Sequence, residues 1–335
     1  MIRVALLSKW HVHATDYAKE ALDHASISVD MIWDEDAERG KQWAEEMEVP
    51  FVQELQDVLS NDAIDGVIVS SPTHLHTEII SAAVSHGKHI FTEKVLAFTG
   101  KECEELFAAM EQSDVQFMIS LPRLASPYYA YAQQVVEEQL LGDLSMIRCR
   151  VAHNGAVPSE LNPNGWLPER FFDKQAAGGG ALMDLGAHPI YLANRLAGAP
   201  LAVTGRLQSL MNKGVDDHAA AIVEYESGVT AVLESSFLSY GSPFQLELYG
   251  TEGTLMIEQG HIRIKSNHLN PHEWITPTEI PSKHPMPMEQ WAAAILEGRE
   301  PDIRKQDAYW LTVVNEAASL SHQHGRRVEV SEVSS

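Results

Sequence analysis

Over roughly the first third of the chain, short apolar runs rich in β-branched residues alternate with stretches in which apolar residues return every third or fourth position. The runs at 4–7, 28–33, 66–70, 89–92 and 115–119 predict strands, and the segments 15–22, 37–47, 77–85 and 101–112 predict helices. That alternation is the pattern of βαβ units around a parallel sheet, in which ligands bind outside the carboxyl ends of the strands. After Pro122 the pattern changes. Ser126-Pro127 opens a helix that Gly142 can close, and period-two runs follow at 144–152, 202–210, 219–225, 229–236, 244–249 and 254–257. Short turns such as Glu226-Ser227-Gly228 and Gly250-Thr251-Glu252-Gly253 favour antiparallel pairing. Two more helices, 288–296 and 305–321, close the chain. The expected fold class is α/β: a doubly wound domain over 1–121, then an α+β domain over 122–335 with a large, mostly antiparallel sheet.

A length of 335 residues suits two domains, since single cores stop growing near roughly 250 to 300 residues. The net charge of -23 repels nucleic acid backbones and anionic membrane surfaces, so neither is an expected partner. No apolar run approaches the roughly 18 residues of a membrane span, and Met1-Ile2-Arg3 leads into the first strand without a leader pattern. The two cysteines, Cys103 and Cys149, fall in apolar periodic segments and read as reduced, buried thiols. A cytoplasmic location is therefore expected.

Candidate chemistry sits where the pattern places strand ends. The loop after the first predicted strand reads Ser8-Lys9-Trp10-His11-Val12-His13, with Ser8, Trp10 and His13 at the three glycine positions of a dinucleotide fingerprint. Anion binding there would rest on main-chain N–H groups and a helix amino terminus, with charge from Lys9 and His11 and with Trp10 limiting close approach. Asp34 follows the second strand at close to the roughly 20-residue offset at which a carboxylate meets the adenosine ribose. That placement favours NAD over NADP, while Asp34 and Asp36 both also read as helix caps. Ser71, Pro72, Thr73 and His76 follow the third strand, and Glu93 and Lys94 the fourth. In the second domain, Gly178-Gly179-Gly180 leads into a helical segment with Asp184 and His188 one turn apart, where Pro189 biases His188 away from helical angles. Arg123 and His153 lie at element ends as candidate pocket liners. The pairs His11/His13 and His74/His76 invite a metal reading, but alternate residues do not by themselves converge and no cysteine joins them, so no metal is expected.

Together these segments, with Gly87-Lys88-His89-Ile90-Phe91-Thr92-Glu93-Lys94, Tyr249-Gly250-Thr251-Glu252-Gly253 and the Gly325-Arg326-Arg327-Val328 ending, resemble the Gfo/Idh/MocA family of oxidoreductases. The resemblance implies an N-terminal Rossmann domain, an NAD cofactor, and hydride transfer between nicotinamide and a hydroxyl carbon of a sugar, polyol or inositol-like substrate. The family's Glu-Lys-Pro lysine corresponds to Lys94, and its helix aspartate and histidine to Asp184 and His188. His188 is then the expected proton acceptor, Lys94 the cationic donor to the reacting oxygen, and Asp184 an orienting carboxylate. Cofactor contacts are expected from Ser8, Trp10, His11, Val12, Asp34, Ser71, Pro72, Thr73, His76, Glu93 and Lys94, and substrate contacts from Lys94, Arg123, His153, Asp184 and His188. A homodimer or homotetramer is also implied. Two departures stand out: Val95 replaces the family's proline, and the phosphate loop has no glycine. The altered loop also motivates a rival reading, a non-catalytic dinucleotide- or sugar-binding regulator of the same fold.

Overall fold

The computed structural model describes residues 1–334. Its elements are β1 (Ile2–Leu7), α1 (Ala14–Asp23), β2 (Ile27–Trp33), α2 (Ala37–Met47), α3 (Leu55–Leu59), β3 (Gly66–Val69), α4 (His76–Ser85), β4 (His89–Thr92), α5 (Gly100–Glu111) and β5 (Phe117–Ile119). They continue with α6 (Pro127–Glu137), β6 (Leu144–Ala152), α7 (Lys174–Ala177), α8 (Ala181–Asp184), α9 (Ala187–Ala197), β7 (Pro200–Gln208), β8 (His218–Tyr225) and β9 (Thr230–Ser236). The chain ends with β10 (Gln245–Gly250), β11 (Gly253–Glu258), β12 (His261–Ser266), β13 (Asn270–Ile275), α10 (Pro287–Glu297), α11 (Lys305–His324) and β14 (Val328–Glu329). Among the described residues, no helix is long and apolar enough to cross a membrane.

Two compact units result. The first comprises Met1–Ala97, Lys101–Pro122 and Pro285–Tyr309, and the second Phe98–Gly100, Arg123–His284 and Trp310–Ser335. The first unit holds a five-stranded parallel sheet in the order β2-β1-β3-β4-β5, the Rossmann layout. Every residue of β3 and the last four of β1 are buried, as a parallel strand covered on both faces requires. The second unit holds a nine-stranded sheet in the order β13-β12-β11-β10-β6-β9-β8-β7-β14, antiparallel except for the β6–β9 pair. Along β8 the buried residues Ala219, Ala221, Val223 and Tyr225 alternate with more exposed ones, so one face packs against α8 and α9.

The structure corrects the expected division at 121/122: Phe98–Gly100 belong to the second unit, and a longer C-terminal segment belongs to the first. Residues 285–309 return to the first unit because the apolar face of α10 covers its sheet: Trp291 packs edge-on to Phe91 at 5.8 Å between ring centres, and its Nε1 donates to Gln116 O at 3.4 Å. Two helix expectations also change. α6 ends at Glu137 rather than running to Gly142, because Gln139 takes a left-handed φ of 53°. The segment from Gly178 to His188 is not one helix but α8 and α9 separated by Leu185 and Gly186. Pro189 falls in the first turn of α9, where its missing N–H breaks no helical bond.

Candidate functional site

In the first unit the phosphate-loop candidates wrap the carboxyl ends of β1 and β3. Ser8 takes the left-handed conformation (φ 75°) that the first glycine would supply, a cost of about 1–2 kcal/mol for a residue with a Cβ. It is offset in part by Ser8 Oγ, which accepts the Trp10 N–H at 3.0 Å. His11 N donates to Ser70 O at 3.0 Å, and the Trp10 indole is buried. Val12 sits exposed at the loop tip, and among the described residues its N–H has no acceptor. At the end of β3, the Ser71 hydroxyl is buried without a hydrogen-bond partner. An open main-chain donor and an orphaned hydroxyl at the ligand edge of a Rossmann sheet fit a dinucleotide's phosphates.

Asp34 closes the end of β2. Asp36, not Asp34, caps α2, accepting from the N–H groups of Glu38 (3.1 Å) and Arg39 (3.2 Å). The Asp34 carboxylate is buried and accepts from Lys9 N at 2.8 Å, Asp36 N at 2.9 Å, and Arg39 Nε and Nη2 at 2.9 and 2.5 Å. Sequence reasoning missed Arg39, whose place on a solvated helix carried no signal. Beside it, burial raises the Glu35 carboxyl, with the Asp34 charge adding to the effect.

After β4, Glu93 is the centre of a buried polar cluster that the spacing did not show. Its Oε2 lies 3.0 Å from His13 Nδ1 and 3.4 Å from His11 Nδ1 and accepts from the Tyr17 hydroxyl, while Oε1 accepts the Lys94 N–H at 2.9 Å. Burial alone would raise this carboxyl, but His11, His13 and Lys94 outweigh it and hold Glu93 well below the usual range. Lys94 is buried, and the Lys94–Val95 peptide bond is cis. His76 has a different place from the expected one. It is wholly buried, with Nδ1 3.0 Å from Val95 O and Nε2 3.1 Å from Ser71 O. It ties the loops after β3 and β4 together and leaves no face for a ligand. Pro72 is buried ahead of a single 3-10 turn, Thr73–Leu75, on which Thr73 is half-buried.

In the second unit, Asp184 ends α8 and His188 lies in the first turn of α9. The glycine before α8 is required: a Cβ on Gly180 would stand 1.8 Å from Asp216 O. Asp216 caps this short helix, its carboxylate accepting from Gly180 N (3.0 Å) and Leu182 N (2.8 Å), and its carbonyl from Ala181 N (2.8 Å). Tyr191, one turn beyond His188, is fully buried, and burial pushes its hydroxyl well above the ordinary value. It keeps its proton, and its hydroxyl lies 2.9 Å from His188 Nδ1, a hydrogen bond that orients the imidazole. Arg123 lies over the Phe244 ring at 4.7 Å and donates to the Tyr128 hydroxyl at 3.3 Å. His153 stacks on Phe237 and packs against Trp166; burial lowers its pKa, and the Asp184 charge opposes that effect. Asp184 and His153 are thus electrostatic neighbours, a pairing that their distance in sequence concealed.

Residues 10–121 match the oxidoreductase family with an NAD-binding Rossmann fold, and residues 129–256 match the GFO/IDH/MocA C-terminal domain. The chain is 26% identical over 305 residues to scyllo-inositol 2-dehydrogenase (NAD(+)) of Bacillus subtilis, covering 87% of this chain and 85% of that one. It is 29% identical over 268 residues to scyllo-inositol 2-dehydrogenase (NADP(+)) of the same organism, covering 78% and 77%. Its fold superposes with a TM-score of 0.84 on levoglucosan dehydrogenase in complex with NADH and L-sorbose, at 22% identity and 98% coverage of both chains. The nucleotide-fold unit, the glycine-led Asp184/His188 segment and these matches over most of the chain place it in the Gfo/Idh/MocA family of NAD-binding oxidoreductases.

Proposed function

We propose that the protein is an NAD-dependent dehydrogenase of a small polyhydroxylated substrate, of the sugar, polyol or inositol type. The observation that carries this reading is that the first unit keeps a buried lysine, Lys94, at the carboxyl end of β4 while the second keeps His188 hydrogen-bonded to Tyr191. Bound NAD supplies the hydride acceptor at its nicotinamide ring. The Val12 N–H and Ser71 hydroxyl bind phosphate, Ser8 sets the loop, and Asp34, its carboxylate engaged by Lys9 N, Asp36 N and Arg39, fixes the ribose end of the site. His188, oriented through Nδ1 by the Tyr191 hydroxyl, takes the hydroxyl proton at Nε2. Lys94, the cation beside Glu93, is the hydrogen-bond donor to the reacting oxygen, the division expected from sequence. Asp184, with His153 and Arg123, holds the other hydroxyls. The relatives named for inositol dehydrogenation support the substrate class.

NADH formation across a panel of inositols, polyols and aldoses tests the reading. At least one member should be oxidised, and Lys94→Ala and His188→Ala should each slow hydride transfer by about 100-fold or more with NAD affinity little changed. Tight NAD binding without turnover on any panel member would instead make the protein a regulator. We also assign it to the cytoplasm, on the burial of both its cysteines, and to a homo-oligomer, on the half-exposed face of its nine-stranded sheet.

A further inference from the structure

His11, His13 and Glu93 do more than the dinucleotide reading asks of them. Two imidazoles from the loop after β1 and one carboxylate from the end of β4 bring their ligand atoms within 4.8 Å of one another. We propose that this cluster is a binding site for a single divalent transition ion of the zinc class, held by His11 Nδ1, His13 Nδ1 and Glu93 Oε2 with water in the remaining position.

The geometry is close to what such an ion needs. Bonds of about 2.0–2.1 Å in a tetrahedral site imply an edge of about 3.3 Å between neighbouring ligand atoms. The edges from Glu93 Oε2 to His13 Nδ1 and to His11 Nδ1 are 3.0 and 3.4 Å. Ligation by His11 Nδ1 takes its lone pair from the His13 N–H, which lies 3.2 Å away. The outer partners are also in place. Glu93 Oε1 is anchored by the Lys94 N–H at 2.9 Å, and the Tyr17 hydroxyl bonds Oε2, so the carboxylate is held in orientation as ligating carboxylates are. Glu93 and His11 are buried, whereas the His13 side chain is 39% exposed. An open cavity of about 410 Å³, lined by His13 and Tyr17 together with Lys19 and the acidic Asp16, Glu20 and Asp23, gives a cation access to it. Two imidazoles and one carboxylate favour zinc and its neighbours over magnesium or calcium, which prefer all-oxygen sites. The proposal does not depend on the dehydrogenase reading.

The competing explanation is that protons alone hold the cluster together. To separate the two, the full chain is stripped with a chelator and titrated with Zn(II) in competition with a chromogenic chelator, and separately with Co(II) followed by visible absorption. One Zn(II) should bind per chain, and Co(II) should give the intense d–d bands of a tetrahedral site. His13→Gln, at the half-exposed position where misfolding is least expected, should weaken Zn(II) binding by at least about 100-fold, since losing even an outer-shell partner costs 10–100-fold. His74→Gln, an exposed control, should leave binding unchanged. Glu93→Gln should abolish the cobalt bands, with circular dichroism checking that the fold is retained. Zn(II) affinity equal in the parent and His13→Gln, or a cobalt spectrum unaffected by His13→Gln, overturns the proposal.

Discussion

At the end of β2, the Asp34 carboxylate receives the Arg39 guanidinium through both Nε and Nη2, and Arg39 reaches Glu35 as well at 2.5 Å. A guanidinium neutralised in this way is not offered to a 2'-phosphate, so the pair reinforces the preference for NAD that Asp34 alone would set. Asp34→Ala should release Arg39, and the NAD:NADP affinity ratio should fall by about tenfold or more, the worth of one charge-assisted bond. Adding Arg39→Ala should return most of that change. Titration calorimetry with both dinucleotides measures the ratio, and an unchanged ratio in Asp34→Ala removes Asp34 from cofactor choice. Asp34 was legible because strand end and offset are properties of the chain itself. Arg39 and the convergence of His11 and His13 on Glu93 were not, since each depends on which strand ends the sheet order brings side by side.

α8 is four residues long, well short of what holds together without tertiary support. It exists because Asp216 grips its first turn from the loop before β8. Burial raises the Asp216 carboxyl, and the Leu182 and Gly180 N–H groups oppose that by favouring the charged form. Asp216→Ala would strand both buried donors and should cost about 2–3 kcal/mol of stability, while Asp216→Asn, which keeps one acceptor, should cost less. Urea denaturation distinguishes these outcomes, and an Asp216→Ala protein as stable as the parent would mean that water satisfies the helix start. The glycine triplet showed that this segment approaches other backbone closely, but not that it breaks. The break falls at Gly186, where a Cβ would stand 2.4 Å from Leu182 O. β13 was invisible for a different reason: its proline and exposed polar residues carry no period-two signal.

Across the whole molecule, the kinds of sheet were legible and the partner of α10 was not. Strands buried on both faces read as continuous apolar runs, and strands buried on one face as alternation, so the parallel and antiparallel halves separate on pattern alone. An apolar helix face, by contrast, says that it covers something without saying which sheet. Whole-molecule stability should also carry a pH signature that follows from burial. Burial lowers the pKa of His76, of His89 and of His153, so these imidazoles stay neutral in the folded chain to lower pH than when unfolded. Below the unfolded value of about 6.5, the unfolded chain takes up protons that the folded chain refuses, and folding stability falls as pH drops through that window. Glu93, held low in the fold, adds a second loss of the same sign below about pH 4.5, where its unfolded carboxyl protonates first. The net charge of -23 acts the other way, because protonation relieves self-repulsion. That term acts between exposed charges and is screened over about 8 Å at physiological ionic strength, so in salt the buried groups should dominate. Urea midpoints measured in 0.15 M salt, about physiological, should therefore decline steadily from about pH 7.5 to 5, across the unfolded histidine value. The decline should be shallower in His76→Asn, whatever that substitution does to absolute stability. A midpoint that stays flat or rises over that range would show that the buried imidazoles take up protons as readily as exposed ones.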